Sequence, residues 1–122
     1  MSITSSGARL AKLDRRKHRR YDLQYPVHVI YRAGDSVAHL NALSKNVGVD
    51  GMLLRATSPI PLLSRARFVI ALAGGALTRS IELAGEGKVL RVQREPVQTE
   101  YEIVIECMRP IAQIEEYCSV PN

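Results

Sequence analysis

Between residues 26 and 108, apolar and polar residues alternate in short runs, and glycine, proline or aspartate closes most of them. A period of two places successive side chains on opposite faces of a strand, so each run reads as a half-buried β-strand. "PVHVIYR" (26–32) puts Val27, Val29 and Tyr31 on one face and His28, Ile30 and Arg32 on the other. "AGDS" (33–36) reads as a turn, "VAHLNALSKNV" (37–47) as a second strand and "GVDG" (48–51) as a glycine-bounded turn. "MLLRA" (52–56) is a third strand, and the proline-bearing "TSPIPLLS" is an irregular connection. "RFVIAL" (67–72) is a fourth strand, followed by a hairpin loop at "AGGA". A fifth strand is expected over 77–93, bent at Gly85 or Gly87, because interior glycines mark bends and bulges. "REPVQTE" is a loop, and "YEIVIECM" (101–108) is a sixth strand. After Pro110, Ile111, Ile114 and Cys118 fall at helical spacing and predict a short terminal helix. Aromatics are sparse (five Tyr, one Phe, no Trp), so the core is built mainly from Val, Ile, Leu and Ala. Six short strands with turns between them argue for a small antiparallel barrel or sandwich, its opening or edge covered by the helix.

The charge is unevenly placed. Residues 1–20 hold seven basic residues against Asp14, a net +6, whereas residues 21–122 hold ten basic against eleven acidic, a net −1. The whole excess lies in the segment before the first strand, densest in "RRKHRRY" (15–21). A near-neutral body with a basic arm suits an anionic partner reached by the arm. Residues 1–14 are small, polar and aperiodic and read as a disordered tail, leaving 15–118 as the domain and 119–122 as a short tail. No run approaches the roughly 18 apolar residues of a membrane span, and the first residues lack the apolar centre of a secretory signal. The expected location is the cytoplasm. Cys107 and Cys118 form no CxxC pattern and read as two reduced thiols.

Two motifs carry chemistry. In the basic run, Arg16 and Arg20 lie four residues apart, and the planar guanidinium fork matches phosphate oxygens or the O6/N7 edge of guanine. In "NVGVDG" (46–51), Gly48 and Gly51 permit unusual backbone geometry and close approach by a ligand, and the Asn46 amide both donates and accepts. Each motif alone is common. Together, at this separation, they resemble the RxxxR and (D/N)xSxxG motifs of the PilZ domain family, whose ligand is cyclic di-GMP. A competing register runs from Arg15 to Arg19. Tyr21 directly after Arg20, and Pro26-Val27 at the strand start, favour Arg16 and Arg20. "GMLLRA", "GKVLRV", "YEIVIECM" and "IAQIEEYC" extend the likeness over roughly residues 15–118.

The resemblance implies an all-β fold: a six-stranded antiparallel barrel with a short C-terminal helix and a flexible basic N-terminal arm. It implies a receptor for cyclic di-GMP that signals to an effector protein, here unidentified. Arg16 and Arg20 would clamp phosphates and guanine edges, Asn46 would bond a guanine, Gly48 and Gly51 would shape the loop, and Arg15 could reach a second ligand molecule. The family's usual serine is replaced by Gly48. Loss of one neutral hydrogen bond costs about 0.5–1.5 kcal/mol, or up to roughly tenfold in affinity. One rival is a PilZ-fold adaptor that no longer binds the ligand and acts through protein contacts. A second is a nucleic-acid-binding barrel, which the body's lack of net positive charge and of an aromatic stacking platform disfavours.

Other signals fail. His18, His28 and His39 show no metal-ligand spacing, and no cofactor or metal is expected. "GEGKV" lacks the early glycine and the Ser/Thr of a phosphate loop. Glu115 and Glu116 make a poor acid–base pair, and no nucleophile arrangement stands out. The chain is not expected to be an enzyme.

Overall fold

A strand with one apolar face must bury that face, and here the sheet does so by closing on itself. The computed structural model describes residues 19–72, 81–96 and 99–118. Among them are seven strands, β1 (Arg20–Tyr21), β2 (Pro26–Ala33), β3 (Ser36–Gly48), β4 (Gly51–Ala56), β5 (Arg65–Leu72), β6 (Ile81–Arg94) and β7 (Tyr101–Cys107), and one helix, α1 (Ala112–Cys118). The strands run in the order β3-β2-β5-β6-β7-β4, and β4 pairs back onto β3, giving a closed six-stranded antiparallel barrel. Closure removes the exposed edges that an open sheet would present. The tails expected at 1–14 and 119–122, the hairpin at 73–76, the first residues of the fifth expected strand (77–80), and Arg15 and Arg16 lie outside the described residues.

The period-two pattern sorts the side chains as expected. Val27 and Val29 of β2, Met52 and Leu54 of β4, Phe68 and Ile70 of β5 and Ile103 and Ile105 of β7 are fully buried inside the barrel. Tyr31 is only half-buried. The β2–β3 hairpin turns through Gly34 and Asp35, with Gly34 at φ +66°, the primed-turn geometry that matches strand twist. The Pro-rich connection after β4 buries Ile60 and carries the one non-glycine residue of positive φ among the described residues, Leu63.

No bulge marks Gly85 or Gly87: the β5–β6 register runs unbroken through both, and the irregularity in β6 falls between Val89 and Arg91, against β7. The two glycines serve close packing instead. A Cβ on Gly85 would stand 2.7 Å from the Phe68 ring and from Ile111, and one on Gly87 2.5 Å from the Glu106 carbonyl oxygen. The helix also starts one residue later than its apolar spacing implies. Ile111 stays outside it and donates its N–H to the Val49 carbonyl at 2.9 Å, while its side chain enters the barrel end beside Gly85. Ile114 is fully buried next to it. At the far end of α1, Cys118 meets Tyr25; burial raises both their pKa values.

Candidate ligand-binding groove

β1 has no counterpart in the sequence reading. It is two residues long and among the described residues pairs with the last residues of β3, Arg20 opposite Gly48 and Tyr21 opposite Val47. This pairing lays the end of the basic run directly against the glycine motif. A buried serine fixes the geometry. The Ser44 hydroxyl donates to the Leu23 carbonyl at 2.6 Å and accepts from the Tyr25 N–H at 2.8 Å, and the Ser44 N–H donates to the Tyr25 carbonyl. The link between β1 and β2 is thereby stapled to β3.

Gly48 and Gly51 flank the two-residue turn Val49-Asp50, yet neither has positive φ. Their use is space. A Cβ on Gly48 would lie 2.9 Å from Cγ of Arg20 and 3.0 Å from the Arg19 carbonyl oxygen. One on Gly51 would lie 2.6 Å from the Ile105 carbonyl oxygen and 3.0 Å from Nη2 of Arg20. The Arg20 side chain therefore lies across the turn, in the place left by two missing side chains. It is mostly buried, and its Nε stands 3.9 Å from Oδ1 of Asp50. Arg19 instead places its guanidinium 5.4 Å from the centre of the Tyr21 ring.

Beside the turn, Arg20 and Asn46 line one groove of about 400 Å³ together with Leu53, Leu90, Arg91 and Val104. Its floor is a cross-strand row: Asn46 is opposite Leu53, Leu53 opposite Val104, and Val104 opposite Arg91. Three inter-strand steps span roughly 14 Å along the sheet. The row begins at one irregularity, between Ser44 and Asn46, and ends at the other, between Val89 and Arg91. An extra residue re-aims the side chains that follow it. At the head of the row, the Asn46 Oδ1 is buried and has no hydrogen-bond partner among the described residues. Such an acceptor is costly to leave unmade and marks a place for a donor.

Of the six residues expected to bind ligand, Arg20, Asn46, Gly48 and Gly51 are thus brought together, and Arg15 and Arg16 lie outside the described residues. Arg91, Leu53 and Val104 were not legible in advance, because only the register of four strands aligns them with Asn46. Below the turn, burial and the nearby Asp50 carboxylate push the Cys107 thiol up to about 11. Both cysteines are free. His28 and His39, without spacing in sequence, meet across β2 and β3 with their ring nitrogens 3.0 Å apart. Among the described residues no group of three or more His, Cys, Asp or Glu is placed to hold a metal, and no helix is long and apolar enough to cross a membrane.

No protein-family model and no curated protein matches the chain. Solved structures do. The inhibitor of motility MotI/DgrA of Bacillus subtilis superposes with a TM-score of 0.64 at 17% identity, over 85% of this chain and 47% of that one. The chain thus spans about half of that protein's length. The PilZ domain of YcgR from Escherichia coli, solved with c-di-GMP, superposes with a TM-score of 0.54 at 13% identity, over 86% of each chain. The fold is that of a PilZ domain.

Proposed function

We propose that this PilZ-fold chain is a receptor for cyclic di-GMP, which occupies the groove between Arg20, Asn46 and Arg91 and is closed in by the arginines preceding β1. The observation that carries the reading is the buried Oδ1 of Asn46, without a hydrogen-bond partner among the described residues, in a groove that Arg20 also lines. The N1–H or N2–H of a guanine supplies the missing donor. Arg20 supplies two parallel N–H groups to a phosphate or to the guanine O6/N7 edge. Arg91, at the other end of the row, offers a second cation to the same dinucleotide. Leu53 and Val104 form an apolar floor for a purine face. Arg16 would complete the clamp, and Arg15 would serve a second stacked molecule. A neighbouring fold solved with this ligand supports the assignment of ligand class.

The output would be a change in the surface offered to a protein partner, in line with a neighbour that is an inhibitor of motility. No step of the proposed function calls for catalysis.

A second reading, a ligand-free adaptor, draws on one observation: Arg20 is already turned toward Asp50 across the turn. Calorimetric titration with cyclic di-GMP at near-physiological salt, with GTP as control, separates the two. A receptor gives saturable heat with cyclic di-GMP alone, lost in Arg20→Ala and in Asn46→Leu, and its stoichiometry reports on Arg15. Absence of heat at high ligand concentration supports the adaptor.

A further inference from the structure

A separate groove lies elsewhere on the barrel. It holds about 840 Å³ and is lined by Arg65 and Arg67 of β5, Glu86 of β6, and Met108, Arg109 and Gln113 around the β7–α1 connection. A second groove of about 400 Å³ shares Arg65 and Met108 with it and adds Leu63, Lys88, Glu106 and Cys107. The two form one continuous face.

Three features of this face run against the stability of the isolated chain. Arg65 and Lys88 stand directly opposite each other across the β5–β6 ladder. Like charges at that spacing destabilise a sheet. Arg65, Arg67, Lys88 and Arg109 make no ion pair among the described residues, although Glu86 and Glu106 share the face. Leu63 is held at φ +68°, a conformation unusual for a leucine, with its side chain 58% exposed. Its N–H donates to the Val89 carbonyl, and the Val89 N–H donates to the Ser64 carbonyl, so the ladder edge over-determines the strain. Met108, next to it, is 47% exposed. Cations without an ion-pair partner among the described residues, around two exposed apolar side chains, are what a partner surface requires: a desolvated centre and a charged rim that fixes orientation.

We propose that this face docks an acidic protein segment carrying aliphatic side chains, which seat on Leu63 and Met108 while its carboxylates pair with Arg65, Arg67, Lys88 and Arg109. The chemistry favours this occupant over others. The chain's own basic arm is repelled by four cations. A nucleic acid would find no aromatic ring to stack on, and Glu86 and Glu106 would oppose its phosphates. The face does not include Arg20, Asn46 or Arg91, so the proposal stands whether or not the groove binds cyclic di-GMP.

The test is selection of short random peptides displayed on phage against the full chain, without cyclic di-GMP, followed by titration of the enriched peptides. The comparison variant is Arg65→Glu with Arg109→Glu. Arg65→Glu puts a carboxylate opposite Lys88, so it relieves a repulsion, and circular dichroism checks that the variant folds. The expected result is enrichment of Asp or Glu interleaved with Leu, Ile or Met, about tenfold or greater weakening in the variant, and amide shifts at Leu63, Arg65, Lys88 and Met108. Leu63→Ser should weaken the same peptides without changing cyclic di-GMP binding. Failure to enrich any peptide, peptides lacking acidic residues, equal binding by the variant, or tighter binding of single-stranded DNA through the same arginines would each overturn the proposal.

Discussion

Gly51 has less room for a side chain than Gly48. A methyl there would meet the backbone oxygen of Ile105 at 2.6 Å, and a barrel strand cannot step aside as a side chain can. Gly51→Ala is expected to cost about 1–3 kcal/mol, as overpacking does, read as a lowered midpoint in urea. Gly48 differs in kind. Its nearest neighbour is Cγ of Arg20 at 2.9 Å, close to the root of that side chain, and next comes the Arg19 carbonyl at 3.0 Å. Restoring the family's serine there, Gly48→Ser, nudges β1 outward and adds a hydroxyl to the groove. The shift of Arg20 and β1 should lower stability, and if the hydroxyl reaches the ligand, affinity for cyclic di-GMP should rise by up to roughly tenfold. A fall in affinity on titration would mean that the glycine is needed to seat Arg20. The turn motif itself was legible in "NVGVDG", and so was the need for two glycines. The reason was not: φ is ordinary at both, and only the fold brings Arg20 and Ile105 against them. Cys107 belongs to this scale too. Its folded pKa of about 11 lies above the usual thiol value, so the contribution it makes to stability is complete below about pH 8.5 and is lost as pH rises toward 11. Alkylation of Cys107 in the native state should stay slow at neutral pH.

At the scale of elements, alternation made the six barrel strands readable, because burial of one face imposes a period of two whatever the neighbours are. β1 was unreadable for the opposite reason. Two residues carry no period, and Arg20-Tyr21 is a strand only because Gly48 and Val47 pair with it. The two register shifts were equally silent, although they decide that Asn46 and Arg91 end one row. The link that matters here is Ser44, which does not line the groove but ties residues 23–25 to β3. Ser44→Ala leaves the Leu23 carbonyl and the Tyr25 N–H without their partner, a cost of about 1–3 kcal/mol. It should also weaken cyclic di-GMP binding by releasing β1. If stability falls while affinity holds, β1 is not what positions Arg20. Lys45, in the irregular stretch of β3, reaches Glu102 of β7, and this hydrogen bond is the chief reason the Glu102 carboxyl is held below its ordinary range. A depressed folded pKa stabilises above the unfolded value, near pH 4.3, and that share is lost as pH falls through the folded one. Glu102→Gln should therefore flatten acid unfolding below pH 4.3 and cost at most about 1 kcal/mol at pH 7, the range for partly exposed pairs.

For the whole molecule, the decisive fact is the separation of charge: a net +6 in residues 1–20 and −1 in the remainder. A protein that bound nucleic acid through its body would carry the excess on the barrel. Under the proposed function the barrel supplies the groove and the segment before β1 the cations, so that a compact dianion is held by both at once. β1 marks where the two meet. Arg20 is already seated on the turn, and Arg15, Arg16, Lys17 and Arg19 precede it within five residues. Each is a trypsin site, and a ligand gripped between this segment and the groove stabilises the state in which they are covered. Cyclic di-GMP should therefore slow tryptic cleavage at these residues while leaving cleavage at Arg32, on the opposite end of β2, unchanged. GTP should do neither, and Arg20→Ala should abolish the protection. The salt dependence of that protection carries further information. A ligand with two phosphates displaces few counterions, so protection should survive a rise from about 50 to 200 mM salt, an interval over which duplex DNA held by six to ten phosphate contacts loses about 10³–10⁵ in affinity. Protection by cyclic di-GMP that collapses as steeply as binding to arbitrary DNA would identify the arm as an electrostatic tail with no clamp in it.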